Sequence, residues 1–138
     1  IIKEIRNGEA IDPKYREKHQ TSIDSSNFEI AVEGMELVVN GGKGSTARIA
    51  KMNDIIICGK TGTAQNPHGE DHSIFIAFAP KDDPQIAIAV YVENVGFGST
   101  YAAPVASLMI EKYLNRNVNR SWLENYVLTV PVNKENSE

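Results

Sequence analysis

Residues 54–94 read DIIICGKTGTAQNPHGEDHSIFIAFAPKDDPQIAIAVYVEN, three apolar runs separated by two short stretches of turn residues. The runs extend from Asp54 to about Gln65, from His72 to Ala79 and from Gln85 to Asn94. They are rich in Ile, Val, Phe and Tyr, the residue types that fit a pleated strand. The connections, 66–71 and 80–84, hold Pro, Gly, Asn and Asp and are too short for a crossover helix, so the spacing predicts an antiparallel meander. In the third run Ile86, Ile88, Val90 and Val92 share one face, and Ala87, Ala89 and Tyr91 share the other. The second run sets Ile74, Ile76 and Phe78 against Phe75, Ala77 and Ala79. Neither face is polar, which predicts that both are covered and that a helix approaches the Ala-lined face closely.

Helical patterns flank the meander. Phe28, Ala31, Val32, Met35, Val38 and Val39 recur at helical spacing, predicting a helix from Asn27 to Asn40. Ser26 with Glu29 three residues later forms a capping-box pattern, and Asn40-Gly41-Gly42 supplies a left-handed stop. A second helix is expected from Ala102 to Leu114, with Pro104 in its first turn and Val105, Leu108, Met109 and Tyr113 at core spacing. Ahead of these lie a strand-like Ile1–Ile5, a turn at Asn7-Gly8 and a polar segment from Asp12 to Asp24. Behind them, from about residue 115, comes a peripheral tail with an amphipathic stretch at Trp122–Tyr126. The expected class is α/β of the α+β kind, an antiparallel β-meander covered by helices. The chain begins on apolar residues without an initiator Met or a leader, which reads as a portion of a longer protein.

Composition narrows the function classes. A net charge of -4 over 138 residues, with no basic cluster interleaved with aromatics, argues against a nucleic-acid surface. One Cys excludes a disulfide framework and a Cys-rich zinc module. The longest apolar run is a handful of residues, too short to span a bilayer.

The strongest chemical signal is Lys60-Thr61-Gly62-Thr63, directly after Ile55-Ile56-Ile57-Cys58. A cation, a hydroxyl and a side-chain-free backbone on one strand edge suit an extended peptide added as a further strand, its carboxylate drawn to the ammonium. A bare K-T-G is also what an ordinary strand end with a solvated Lys looks like. His68, Glu70, Asp71 and His72 offer ligand types, but Pro67 and Gly69 predict a turn in which the two imidazoles do not face one ion, so no metal site is expected. Cys58 lies between Ile57 and Gly59 and reads as a packed thiol. Glu93 is a general base by residue type but reads as a strand-end cap, His19 reads as solvated and Gly96–Ser99 as a flexible loop beside the site.

The order Gly59–Gln65, Asp71–Pro80, Ile86–Asn94 and Ala102-Ala103-Pro104 closely resembles the C-terminal part of the transpeptidase domain of class B penicillin-binding proteins, closest to the elongation-type, penicillin-binding protein 2 branch. The resemblance runs over nearly the whole chain, 1–138, and implies the three-layer β-lactamase/transpeptidase-like fold. In that family S-x-x-K, S-x-N and K-T-G converge on one site. The resemblance assigns Lys60 and the amide of Thr63 to catalysis, Lys60 beside the nucleophile and Thr63 in the oxyanion hole. It assigns Thr61 and Gly62 to substrate binding, Thr61 through its hydroxyl to a carboxylate and Gly62 by leaving room for the acyl group. Two departures matter. No Ser is followed by Lys three residues later, so the nucleophile is expected upstream of Ile1. Ser25-Ser26-Asn27 fits S-x-N by letter but sits where a helix begins, too close to Lys60 for the family's layout.

The implied activity is a D,D-transpeptidase that cross-links peptidoglycan stem peptides ending in D-Ala-D-Ala through an acyl-serine, a serine that β-lactams also acylate. No cofactor is implied. The parent would be anchored in the membrane on its periplasmic face, within the elongation complex. The chain by itself should be inactive, and the apolar Ile74, Phe78, Ile88 and Val90, partly exposed by the missing layers, should make it oligomeric. The alternative is a non-enzymatic penicillin-sensing or peptide-binding module of the same fold; a deacylating Glu upstream would instead point to a β-lactamase.

Overall fold

The computed structural model describes residues 12–15, 17 and 20–131; the expected strand Ile1–Ile5, its turn at Asn7-Gly8 and His19 lie outside them. The main elements follow in the order α1 (Ser25–Asn40), β1 (Cys58–Ala64), β2 (His72–Ala79), β3 (Ile86–Val92), α2 (Ala102–Asn115) and α3 (Ser121–Thr129), with short 3-10 turns at Pro13–Tyr15, Gly42–Gly44 and Arg48–Ala50. The sheet is the expected antiparallel meander in the order β1-β2-β3.

The first strand is shorter than the sequence suggests. Cys58 pairs with Phe78, and β2 stops at Ala79 because Pro80 has no amide to continue the ladder. Asp54–Ile57 therefore run on without a strand partner among the described residues, although Ile57 is fully buried.

Register decides the faces. Ala77 stands opposite Ile88 and Phe75 opposite Val90, so the Ala face of β2 and the Ile/Val face of β3 form one surface. The Ala faces of the two strands thus lie on opposite sides of the sheet. On the inner surface Ser73, Phe75, Ala77 and Ala79 are buried, and α2 packs over β2 and β3 there. The outer surface is covered less: Ile76 is 47% and Tyr91 53% exposed, and Ala87 and Ala89 face outward with them. Ile74, Phe78, Ile88 and Val90 are half-buried.

The helix α2 meets the sheet through Ala102, Ala103, Ala106 and Ile110 rather than through Met109 and Tyr113, which are exposed. Small side chains let the helix axis come close, and the larger ones rotate to its flank. On the other side of the molecule α1 packs against β1. Fully buried Val39 joins Ala47, Ala50, Met52 and Ile57 in the core, while Phe28 near the start of α1 stays exposed. The cap of α1 is Asp24 rather than Ser26: its carboxylate accepts from the Ser26 amide at 2.9 Å and from the Ser26 hydroxyl at 2.6 Å. Those two bonds hold the Asp24 carboxyl below its ordinary pKa, the hydroxyl contributing most. At the far end Gly41 closes the helix onto the Leu37 carbonyl, and Gly42 takes the left-handed φ of +88°.

Beyond α2 the chain turns at Arg116 and Asn119-Arg120 into α3, whose Leu123 is fully buried. Glu111, 2% exposed, is met there by the Arg120 guanidinium at 3.0 Å and by the Asn119 amide at 3.0 Å. Arg120 also donates to the carbonyls of Lys51 and Ser107, and the Ser107 hydroxyl donates to the Ala50 carbonyl at 2.7 Å. One buried ion pair therefore ties α2, α3 and the 48–50 turn together.

Candidate active site

The Lys60–Thr63 stretch occupies the middle of β1, which has β2 on one side and no strand on the other among the described residues. Its side chains alternate. Cys58, Lys60 and Gly62 stand opposite Phe78, Ile76 and Ile74 on the outer surface, and Gly59, Thr61 and Thr63 share the inner surface with Ala77, Phe75 and Ser73.

Each neighbour of the stretch has a steric reason. The Phe75 ring lies across Gly59, where an added Cβ would sit 2.4 Å from a ring carbon. Cys58 is buried, and burial first, then the Glu36 carboxylate, pushes its thiol above the ordinary pKa. A thiol held neutral in this way is a packing group, not a nucleophile. Glu36 itself forms an ion pair with Lys81 at 2.5 Å, linking α1 to the β2–β3 turn.

Lys60 is exposed, and its ammonium donates to the Thr61 carbonyl at 2.8 Å. Thr61 is half-buried, and its hydroxyl oxygen lies 3.5 Å from that of Thr46. Thr63 is exposed and, two residues along an extended strand, shares the orientation of Thr61. A positive charge from the outer face and hydroxyls from the inner face thus flank one open edge, a surface that an extended peptide bearing a carboxylate matches.

The loop after β3 packs over the β1–β2 ladder beside this edge. The amides of Val95 and Gly96 both donate to the Asp71 carbonyl, at 3.1 and 2.7 Å. The buried Ser73 hydroxyl donates to the Phe97 carbonyl at 2.9 Å and accepts from the Ala102 amide at 3.1 Å. Gly98 is wedged against the strands: a Cβ there would fall 2.3 Å from the Ile74 carbonyl oxygen and 2.7 Å from that of Gly62. The loop expected to be flexible is pinned by hydrogen bonds and close backbone contact, with the Phe97 side chain 70% exposed above it.

The acidic and histidine residues between β1 and β2 build turns. The Asp71 carboxylate accepts from the Asn66 amide at 3.1 Å, and His72 Nδ1 accepts from the Asn94 amide at 3.1 Å, which places any His72 ring proton of the neutral form on Nε2. Among the described residues no three His, Cys, Asp or Glu side chains gather as metal ligands. Ser25, Ser26 and Asn27 form the exposed first turn of α1. Thr46 and Ser73 carry no signal in the sequence, and Gly98 reads there only as part of a flexible loop, because what each does depends on residues 15 to 36 positions away that only the fold brings near.

Known proteins resemble this chain in sequence and fold. The family described as penicillin binding protein transpeptidase domain matches residues 1–111. The chain is 32% identical over 126 residues to the peptidoglycan D,D-transpeptidase MrdA of Haemophilus influenzae, covering 80% of this chain and 19% of that protein. The crystal structure of Pseudomonas aeruginosa PBP2 in complex with WCK 5153 matches with a TM-score of 0.60 at 38% identity, over 72% of this chain and 22% of that one. Helicobacter pylori PBP2, in its complex with MreC, matches with a TM-score of 0.57 at 28% identity, over 68% of this chain and 18% of that one. The chain therefore spans about a fifth of the length of the relatives it matches. Its antiparallel sheet and surrounding helices belong to the β-lactamase-like fold of these proteins, and the chain belongs to the penicillin-binding protein transpeptidase domain family.

Proposed function

We propose that residues 1–138 form the C-terminal portion of a D,D-transpeptidase domain that cross-links peptidoglycan stem peptides, and that they supply its substrate-binding strand but not its nucleophile. The observation that carries this reading is the open edge of β1, with Lys60 exposed and Thr61 and Gly62 half-buried beside it. In the full-length protein a serine outside this segment attacks the carbonyl of the penultimate D-Ala. Its Oγ–carbon bond forms, the peptide C–N bond breaks, and D-Ala leaves with the proton the serine gave up. An amine of a neighbouring stem then attacks the ester and regenerates the serine. A β-lactam enters the same first step.

Within that scheme the terminal carboxylate lies against the Thr61 hydroxyl, with the Lys60 ammonium supplying the positive field and orienting the serine side. Gly62 leaves the acyl group room at the strand. The Thr63 amide is one of two donors to the oxyanion; such a donor contributes about 3 kcal/mol to the transition state. The protein works at the periplasmic face of the cytoplasmic membrane within the elongation machinery, a placement supported by the likeness to a PBP2 solved with MreC.

The test is acylation of the full-length protein by a fluorescent penicillin. Lys60→Ala is expected to slow acylation on the order of a hundredfold without moving the thermal midpoint. Unchanged acylation in that variant would remove Lys60 from the site.

A further inference from the structure

We infer that Thr46 is a positioning residue for substrate recognition, donating its hydroxyl proton to Thr61 so that the Thr61 hydroxyl is free to donate to the substrate carboxylate. The inference rests on the reading of Thr61 given above. Its origin is geometric. The two hydroxyl oxygens are 3.5 Å apart across the open side of β1, and Thr46 is exposed. That separation is at the long limit of a hydroxyl hydrogen bond.

The backbone on both sides of Thr46 is fixed. The Ser45 hydroxyl donates to the Leu37 carbonyl at 2.7 Å, and the Ser45 amide to the Gly42 carbonyl at 3.2 Å. The Ala47 amide donates to the Val38 carbonyl at 2.9 Å, and Ala47 is fully buried. Three residues on, the Ala50 carbonyl is held by Ser107. An exposed hydroxyl on so constrained a backbone is presented to β1 at low entropic cost.

The proton count explains what the second hydroxyl adds. Thr61 has one proton, and a carboxylate accepts but never donates. If Thr61 spent its proton on a protein acceptor, it would turn a lone pair toward the carboxylate and repel it. A Thr46 proton on the Thr61 oxygen fixes the opposite orientation and polarises the Thr61 O–H toward the anion.

The experiment uses the full-length transpeptidase carrying this segment and two probes, benzylpenicillin and its methyl ester, which lacks the carboxylate charge. The readout is the ratio of their acylation rate constants within each variant, a ratio independent of how much of the protein is folded. Thr46→Val is expected to lower the ratio roughly fivefold to tenfold, the worth of one modest hydrogen bond. Thr46→Ser should restore it, and Thr46→Val added to Thr61→Val should lower it no further than Thr61→Val alone. Thr46→Ala is read by the same ratio should the Val variant be poorly folded. An unchanged ratio in Thr46→Val, with Thr61→Val lowering it, overturns the role of Thr46 alone. An unchanged ratio in Thr61→Val overturns the reading of Thr61 as the carboxylate partner, and the role of Thr46 with it.

Discussion

The open edge of β1 and the junction of α2 with α3 each carry a cation, and the fold treats the two in opposite ways. At the junction the Arg120 side chain is 14% exposed, its guanidinium divided among the carboxylate of buried Glu111 and two carbonyls. At the edge Lys60 is exposed and its ammonium rests on the carbonyl of the next residue. A charge inside the protein has to be matched there, because an unmatched one is expensive to bury. A charge held at a strand edge with a local carbonyl as its partner keeps its capacity for an incoming anion. The first arrangement holds the molecule together; the second leaves it something to bind with.

Removing each cation in turn should affect the molecule very differently. Arg120→Met leaves Glu111 buried without its ion-pair partner and is expected to cost about 3–5 kcal/mol, read by denaturant unfolding. Lys60→Met should change the same measurement by less than about 0.5 kcal/mol, as an exposed position does. Equal losses at both positions would erase the distinction drawn here.

Gly98 lies between the two kinds of region: it rests on the edge strand at its paired side and is buried like the core. Gly98→Ala forces a Cβ onto the Ile74 and Gly62 carbonyls. The expected cost is about 1–3 kcal/mol from overpacking, together with slower acylation in the full-length protein as the Gly62 backbone shifts. Wild-type stability in that variant would show that the 96–99 loop moves aside freely.

The smallest effect belongs to a third charged group, the cap of α1. The Asp24 pKa is lowered on folding, so the cap contributes fully above the ordinary Asp pKa and is lost as pH falls through the lowered folded value. Helix content followed by circular dichroism should decline across that acid window in the wild type. The Asp24→Asn variant, which caps without titrating, should lack that part of the decline; identical acid profiles would detach the carboxylate from the helix.

The meander was legible because alternation and turn residues are local signals: β2 begins and ends where its sequence says, and β3 falls short of the expected span only at its ends. The pairing of faces was not. Whether Ala77 stands beside Ala87 or beside Ile88 depends on how the 80–85 turn closes, including the Gln85 amide returning to the Ala79 carbonyl, and strand composition does not encode that. The helix cap was misplaced by two residues because Asp24, Ser25 and Ser26 are all competent caps and only the backbone conformation of Asp24 selects one. Lys60 to Thr63 stood out as a motif and lie together on β1. Thr46 did not stand out, since a threonine in a glycine-rich turn acquires meaning only when the fold sets it beside Thr61. The Glu111–Arg120 pair was invisible for a related reason: nine residues apart across a helix end, the two read as ordinary solvated charges.

In the proposed function this segment binds and orients while the attacking serine lies elsewhere in the protein. Mass-spectrometric mapping of the penicilloyl adduct in the full-length protein tests it directly. The expected adduct sits on a serine outside residues 1–138 and is lost or slowed in Lys60→Ala. An adduct on a serine within the segment, Ser25 or Ser26 above all, would contradict it.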